Sequence, residues 1–406
     1  MYENLAILAI FVLLYSVLSG GLERTPVNGA LVFTAFGFVF GPDGINWLKV
    51  DLDAEGLRTL AELTLALVLF ADASNADLGV LRQNVRIPRL LLLVGLPLTI
   101  AMGIGAGVLL FDELTLLEIA LLATMLAPTD AALGKAVVTN PAVPARIREG
   151  LNFESGLNDG ICVPVLFLFL ALATGIEVEH SKPALALTLL AEEIGIGMAV
   201  GVTVTFLASR ALRFSIRRGW LNETWRQLPI AAMAMSCFAL AQWLGGSGFI
   251  ACFVGGVLFG WLAGEHKHHL LVSAESTGDT LALVTWVLFG AAALATTFAN
   301  LTWPIVIYAV LSLTVIRMLP VYLALTPMDL RPGEKLFVGW FGPRGLASIV
   351  FAVIVLNEKL PGGSTLTTTV ALTIVLSVVF HGLTANPLAS RLASADASGG
   401  PSGAGR

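Results

Sequence analysis

The chain has 406 residues, of which 56% are hydrophobic and 13% charged, and a mean hydropathy of +0.86. Soluble domains carry roughly 25% charged residues, so this composition excludes a water-soluble globule. The formal net charge of −5 is too small to identify a partner, and no nucleic acid is expected.

Apolar runs bounded by charges, Gly and Pro predict helices over residues 5–20, 27–41, 56–73, 88–111, 115–138, 149–174, 184–209, 228–244, 247–264, 272–298, 303–325, 334–356 and 365–389. That is an all-α membrane protein of about thirteen transmembrane helices, since roughly 20 apolar residues of helix span a hydrocarbon core of about 30 Å. The first run, Leu5 to Leu18, lacks a basic flank and a small-residue cleavage site, so it reads as a retained helix. Residues 1–392 form one transmembrane domain, and 393–406, rich in Ser, Gly, Ala and Pro, read as a short disordered tail. Cys162, Cys237 and Cys252 fall in apolar runs without paired spacing and read as small buried hydrophobes.

Basic residues cluster in alternate loops: Arg82, Arg86 and Arg89, then Arg146 and Arg148, then Arg210, Arg213, Arg217, Arg218 and Arg226. The intervening loops hold Asp43, Asp51, Asp53 and Glu55, then Asp112 and Glu113, then Glu177 and Glu179. By the positive-inside rule the arginine loops face the cytoplasm, which puts the amino terminus outside and the carboxyl terminus inside a cytoplasmic (inner or plasma) membrane. Two runs of six helices flank the long segment at 184–209, the pattern of two inverted repeats joined by a linker helix. The fifth and twelfth helices both carry breakers at mid-membrane depth, Pro128 in one and Gly342, Pro343 and Gly345 in the other.

Charged groups at membrane depth cost at least about 2.5 to 3.5 kcal/mol each on insertion scales, so each needs a reason. In the fifth helix Pro128 frees backbone carbonyls next to Thr129 and Asp130, a set of hard oxygens suited to a small cation. An ordinary proline kink is the bland reading. In the sixth helix Glu154 and Asp159 stand about 7.5 Å apart along the axis and well around it, so they need not face one partner. Asp159 is the transport candidate, because a partly desolvated carboxylate can hold a proton or a cation but not both; a structural acid bonded to Asn158 is the alternative. Glu275 and Asp279, one turn apart on the tenth helix, can line a funnel, although such residues, like Glu192 and Glu193, more often sit solvated near helix ends. Arg317 in the eleventh helix needs a carboxylate, for which Glu154 is the natural partner in a structural ion pair. Arg344, in the broken segment of the twelfth, either neutralises half-helix carbonyl ends or pairs with Asp130. The run Glu265-His266-Lys267-His268-His269 looks metal-binding but has no second ligand group nearby in sequence, so a solvated loop is favoured over a pH-sensing role.

The segments Ala127-Pro128-Thr129-Asp130, Phe153-Glu154-Ser155-Gly156-Leu157-Asn158-Asp159-Gly160, Ser247-Gly248-Phe249-Ile250-Ala251, the arginine at 317 and Gly342-Pro343-Arg344-Gly345 resemble, in that order, the motifs of the NhaP/NHE branch of sodium/proton antiporters. The resemblance implies a thirteen-helix fold with crossed, broken helices five and twelve, a homodimer, and elevator-like movement of a core near 88–174 and 303–389 against dimerisation helices near 5–73 and 184–298. It implies a secondary transporter that exchanges Na+, or Li+ or K+, for H+ without a cofactor, in pH homeostasis and sodium tolerance. Asp159 would be the shared ion and proton site, with Asn158 its neighbour, Thr129 and Asp130 in the unwound crossing, and Ser155 a further oxygen. Asp159, Thr129 and Ser155 would hold the monovalent cation, and Glu154 and Arg317 would form an ion pair. An Asn rather than a second Asp at 158 goes, in this family, with electroneutral one-for-one exchange. Where relatives commonly show an acid followed by Gly, the third helix has Leu69-Phe70-Ala71-Asp72-Ala73, so Asp72 is an outer acid or a funnel residue.

Other classes fit less well. A cation channel needs a continuous polar path rather than a titrating acid beside a broken helix. A carrier of organic substrates would show more aromatic and polar side chains at mid-depth, and an enzyme would need a nucleophile with a base or a His-rich metal motif in the helices.

Overall fold

The computed structural model describes residues 2–22, 25, 27–48, 54–75, 86–130, 133–138, 140, 142–177, 183–222, 225, 228–264 and 267–398. Among them every regular element is helical. The first repeat holds α1 (Tyr2–Leu22), α2 (Gly29–Phe40), α3 (Ala54–Asn75), α4 (Arg86–Leu110), α5 (Leu116–Met125), α6 (Lys135–Val138) and α7 (Ala145–Glu177). The linker α8 (Pro183–Arg217) follows. The second repeat holds α9 (Pro229–Trp243), α10 (Gly248–Ala263), α11 (Lys267–Ala299), α12 (Trp303–Ala324), α13 (Pro332–Trp340), α14 (Leu346–Asn357) and α15 (Gly363–Ser398). The α5/α6 and α13/α14 pairs are each one interrupted crossing, so thirteen crossings result, six on each side of α8. Seven of the described helices are long and apolar enough to cross a bilayer alone by length and composition, and five shorter apolar helices join them.

The helices gather into two bundles. In one, a panel, α2 packs on α11, α3 on α10 and α11, and α8 on α9 and α10. In the other, a core, α4 packs on α5 and α12, α5 on α7, and α15 on α12 and α14. The seam between them runs where α3, α8 and α11 meet α7, α14 and α15. Panel helices approach through glycine pairs one turn apart: a side chain at Gly37 would meet the Val287 carbonyl and one at Gly41 would meet Ala291. Gly256 and Gly260 likewise lie on the carbonyls of Phe70 and Ser74, and Gly197 and Gly201 on those of Ser247 and Ala251. Lipid supplies no hydrophobic drive between helices, so close van der Waals contact through small residues does this work.

Several boundaries depart from the sequence expectation for identifiable reasons. The expected helix at 115–138 ends at Met125, and that at 334–356 is interrupted between Trp340 and Leu346. In each gap a proline, Pro128 or Pro343, lacks an N–H and obstructs the preceding turn. α4 contains a wide turn at Leu91–Gly95, directly before Pro97, where the Leu96 N–H reaches the Leu91 carbonyl five residues back. α12 is interrupted at Thr314 (φ −110°, ψ −96°), a break that no proline announces. The disordered tail expected from Ala393 is corrected in part: α15 continues to Ser398, because Ala393, Ala395 and Ala397 favour helix. Residues 399–406 lie outside the described residues, as do Arg82, Asp51, Asp53, Glu179, Arg226, Glu265 and His266. Lys267, expected in a loop, instead begins α11.

Candidate functional site

The two interrupted crossings meet at the centre of the core. The Asp130 N–H donates to the Pro343 carbonyl at 2.8 Å, and the Leu346 N–H, at the start of α14, donates to Asp130 Oδ2 at 3.0 Å. Asp130 Oδ1 also accepts from the Leu133 N–H at 3.2 Å. This carboxylate therefore answers orphan N–H groups of both crossings at once. The approach requires Gly345, since any side chain there would occupy the place of the Asp130 carboxylate. From the other direction Arg344, fully buried, donates through Nη1 to the carbonyls of Ala127 (2.9 Å) and Pro128 (3.0 Å). Of the two roles expected for Arg344, Nη1 takes the first, on carbonyls left free where α5 ends. Ser348 Oγ donates to the Met125 carbonyl at 2.7 Å and adds a further tie.

α7 runs past this crossing and presents Ser155, Asn158 and Asp159, all buried. Thr129 Oγ1 lies 2.9 Å from Ser155 Oγ and accepts from Asn158 Nδ2 at 2.6 Å. Thus Thr129, Ser155 and Asn158 come together in one hydrogen-bonded cluster, and Asp159 is the next residue on α7. Asn158 Oδ1 and Asp159 Oδ1 are buried atoms with no hydrogen-bond partner among the described residues. Buried polar atoms are nearly always satisfied, so two orphaned oxygens on consecutive residues of α7 need an account.

Glu154, on the same helix, faces elsewhere. Its carboxylate takes Arg317 Nη1 at 2.6 Å and Nη2 at 2.7 Å, a bidentate pair with both side chains 1% exposed. Gly342 leaves room for it: a side chain there would meet Arg317 Nε at 2.6 Å and Thr129 Cγ2 at 3.0 Å.

The acids singled out on the panel form a sequence leading away from Asp159. Asp72, half-buried on α3, lies against Gly156 of α7, and its charge is felt at Asp159 together with that of Asp130. Asp72 in turn interacts electrostatically with Glu275 and Asp279. Glu275 Oε1 accepts from Asn75 Nδ2 at 2.5 Å, and Asp279 is exposed. Asp72, Glu275 and Asp279 are thus electrostatic neighbours, with Glu275 bonded to Asn75 at the end of α3. Glu192 is exposed and Glu193 half-buried, with the Glu193 carbonyl accepting from Ser247 N–H at 3.1 Å. The cysteines are free and buried, and the described residues contain no group of three or more His, Cys, Asp or Glu able to hold a metal.

Three buried polar residues that tie the core together were not singled out by sequence reasoning. Glu118, buried at the start of α5, accepts from the Thr115 N–H and hydroxyl and from the Gly362 N–H at 2.6 Å. Ser377 and His381 on α15 flank the second break. For His381 the signal was present, an ionisable side chain inside an apolar helix.

Two inverted six-helix repeats, interrupted helices crossing at mid-depth and an unsatisfied carboxylate at the crossing define the class of secondary transporters. Within that class the chain belongs to the sodium/hydrogen exchanger family, whose transmembrane region matches residues 7–391. It is similar to a Na(+)/H(+) antiporter of Schizosaccharomyces pombe (24% identical, covering 82% of this chain and 74% of that one). It is also similar to the K(+)/H(+) antiporter NhaP2 of Shewanella sp. (22% identical, 85% of this chain and 59% of that one). The chain spans about half the length of several curated relatives it matches, 47% of another from S. pombe and 44% of one from Zygosaccharomyces rouxii. Its fold is that of the sodium proton antiporter MjNhaP1 from Methanocaldococcus jannaschii, with a TM-score of 0.76 at 20% identity over 97% of this chain and 99% of that one.

Proposed function

We propose that the chain exchanges one monovalent cation for one proton across a cytoplasmic membrane, with Asp159 holding either. The observation that carries this reading is the unsatisfied pair Asp159 Oδ1 and Asn158 Oδ1 beside the Thr129 and Ser155 hydroxyls, while the neighbouring carboxylates are already engaged. Glu154 is taken by Arg317, and Asp130 accepts backbone N–H groups on both oxygens. Asp159 is the carboxylate of the core left to bind cargo, with Thr129 and Ser155 completing a set of hard oxygens.

Charge decides the stoichiometry. Arg317 pairs with Glu154, while Arg344 and Asp130 are engaged on backbone groups, so an ionised Asp159 adds one negative charge at the crossing. One proton or one monovalent cation neutralises it, and a bare carboxylate is too costly to carry through an apolar barrier. Both loaded forms are therefore neutral, which supports electroneutral one-for-one exchange. Asp72, Glu275 and Asp279 serve as a funnel that concentrates cations at its mouth. Alternating access by an elevator-like shift of core against panel, and pairing of two copies through panel helices, complete the proposal.

Relatives named for sodium and for potassium leave both cations as cargo for the same oxygen set, and the assay separates them. Proteoliposomes with an internal pH dye and an imposed pH gradient receive Na+, Li+ or K+, with and without a potassium/valinomycin clamp. The wild type is expected to dissipate the gradient with one or more of these cations, independent of clamped voltage, and Asp159→Asn to be silent. Flux that persists in the substituted protein removes Asp159 from the mechanism, and flux seen only as current indicates a channel.

A further inference from the structure

The inverted repeats make each element of one crossing comparable with an element of the other. Pro128, Thr129 and Asp130 correspond to Pro343, Arg344 and Gly345, and α7, which flanks the first break, corresponds to α15, which flanks the second. On α7, Ser155 Oγ meets Thr129 Oγ1 at 2.9 Å, and Asp159 follows one helical turn later. On α15, Ser377 Oγ accepts from the Arg344 N–H at 2.7 Å, and His381 follows one turn later. The second repeat thus places an imidazole where the first carries Asp159.

His381 is 2% exposed. Its Nε2 lies 2.8 Å from the carbonyl of Trp340, the last residue of α13. Its Nδ1 lies 3.1 Å from Ser377 Oγ and 2.8 Å from the Ser377 carbonyl. A carbonyl offers no proton, so a hydrogen bond from the ring to Trp340 requires a protonated Nε2, whatever the state of Nδ1. The Trp340 carbonyl also accepts the Gly342 N–H at 2.8 Å, and the Trp340 indole is held by Thr384 of α15 at 2.9 Å.

Two short routes lead from this ring to the cation cluster. Along one, His381 and Ser377 hold the Arg344 backbone, and the Arg344 guanidinium holds the carbonyls of Ala127 and Pro128, directly before Thr129. Along the other, His381 and Gly342 share the Trp340 carbonyl, and Gly342 packs on Thr129 Cγ2. Both routes end on Thr129, whose hydroxyl contacts Ser155 and Asn158.

We propose that His381 is a positioning residue for cation binding, acting as an Nε2 hydrogen-bond donor that fixes the second break and, through Arg344 and Gly342, the placement of Thr129. The proposal rests on the reading of Thr129 and Asp159 as the cation site. It assigns this ring no contact with the cation and no proton in the transport cycle.

The test compares His381→Gln, His381→Asn, His381→Ala and Ser377→Ala with the wild type in proteoliposomes, reading cation KM and maximal rate separately. A side-chain amide of Gln reaches the Nε2 position, whereas that of Asn is too short. Loss of the donor in the Asn and Ala forms, and of the Arg344 link in Ser377→Ala, is expected to raise the cation KM roughly five- to tenfold while the maximal rate stays within about twofold. Gln is expected to bring KM back to within about threefold of the wild type. The inference is overturned if Gln and Asn behave alike, or if the variants lose maximal rate and thermal stability with KM unchanged. Should His381→Ala fail to fold, the contrast between Gln and Asn decides. A wild type without cation-dependent proton flux, or an Asp159→Asn form that keeps it, removes the cation site itself and this proposal with it, whereas normal KM values in all four variants remove His381 alone.

Discussion

The panel and the core of this protein are joined internally by opposite means. In the panel, α2 meets α11 and α3 meets α10 through glycines laid on facing carbonyls. In the core, α5, α7, α12 and α14 meet through Asp130, Arg344, Glu154 and Arg317, each buried or partly buried and each hydrogen-bonded across helices. Glycine contacts depend on shape alone and resist change in size. Charged contacts depend on partners, and deletion of one member strands the other in a low-dielectric interior. The comparison separates what keeps the molecule assembled from what gives it a site: among the described residues, the unsatisfied buried carboxylate oxygen, Asp159 Oδ1, lies in the core.

The contrast can be broken most severely at the buried ion pair. Arg317→Ala or Glu154→Ala alone is expected to cost about 3–5 kcal/mol, read as a loss of thermal stability in detergent, because one charge remains buried without its partner. A double replacement by Met and Leu should recover much of that loss, and a double variant less stable than either single one would show that the pair contributes more than its desolvation removes. Next in size is Gly345→Ala, whose methyl would collide with the Asp130 carboxylate. An overpacking cost of about 3 kcal/mol is expected, with transport lost even in the fraction that folds. Gly260→Ala in the panel meets the Ser74 carbonyl and should cost about 1–2 kcal/mol with cation KM unchanged. A shifted KM there would mean that panel packing reaches the cation cluster. Smallest is Glu118→Gln, which keeps one acceptor for the Gly362 or Thr115 N–H and should cost about 1 kcal/mol, measured the same way.

The sequence made some of this legible and withheld the rest for physical reasons. Apolar run lengths located the crossings, and Pro128 and Pro343 located both breaks, because proline removes an N–H wherever it stands. The rarity of intramembrane charge pointed to Asp159, Glu154, Arg317 and Arg344. What a linear pattern does not encode is which orphan group meets which. That Asp130 serves Leu346, more than two hundred residues away, follows only from how the two repeats are inverted onto one another. The interruption at Thr314 carries no Pro or Gly, so propensity alone cannot reveal it. His381 was visible as an ionisable residue in an apolar helix, yet two of its partners, the Trp340 and Ser377 carbonyls, leave no trace in residue identity.

Asp130 also has a mechanical consequence. A carboxylate that accepts from Leu133 on one arm and Leu346 on the other, with Arg344 reaching back to Ala127 and Pro128, acts as a cross-brace. A braced frame resists hinging, so the two interrupted crossings hold one shape around Thr129. Under the proposed elevator-like shift this frame would move as one piece along the seam where α3, α8 and α11 meet α7, α14 and α15, so those faces would govern speed while the brace governs fit.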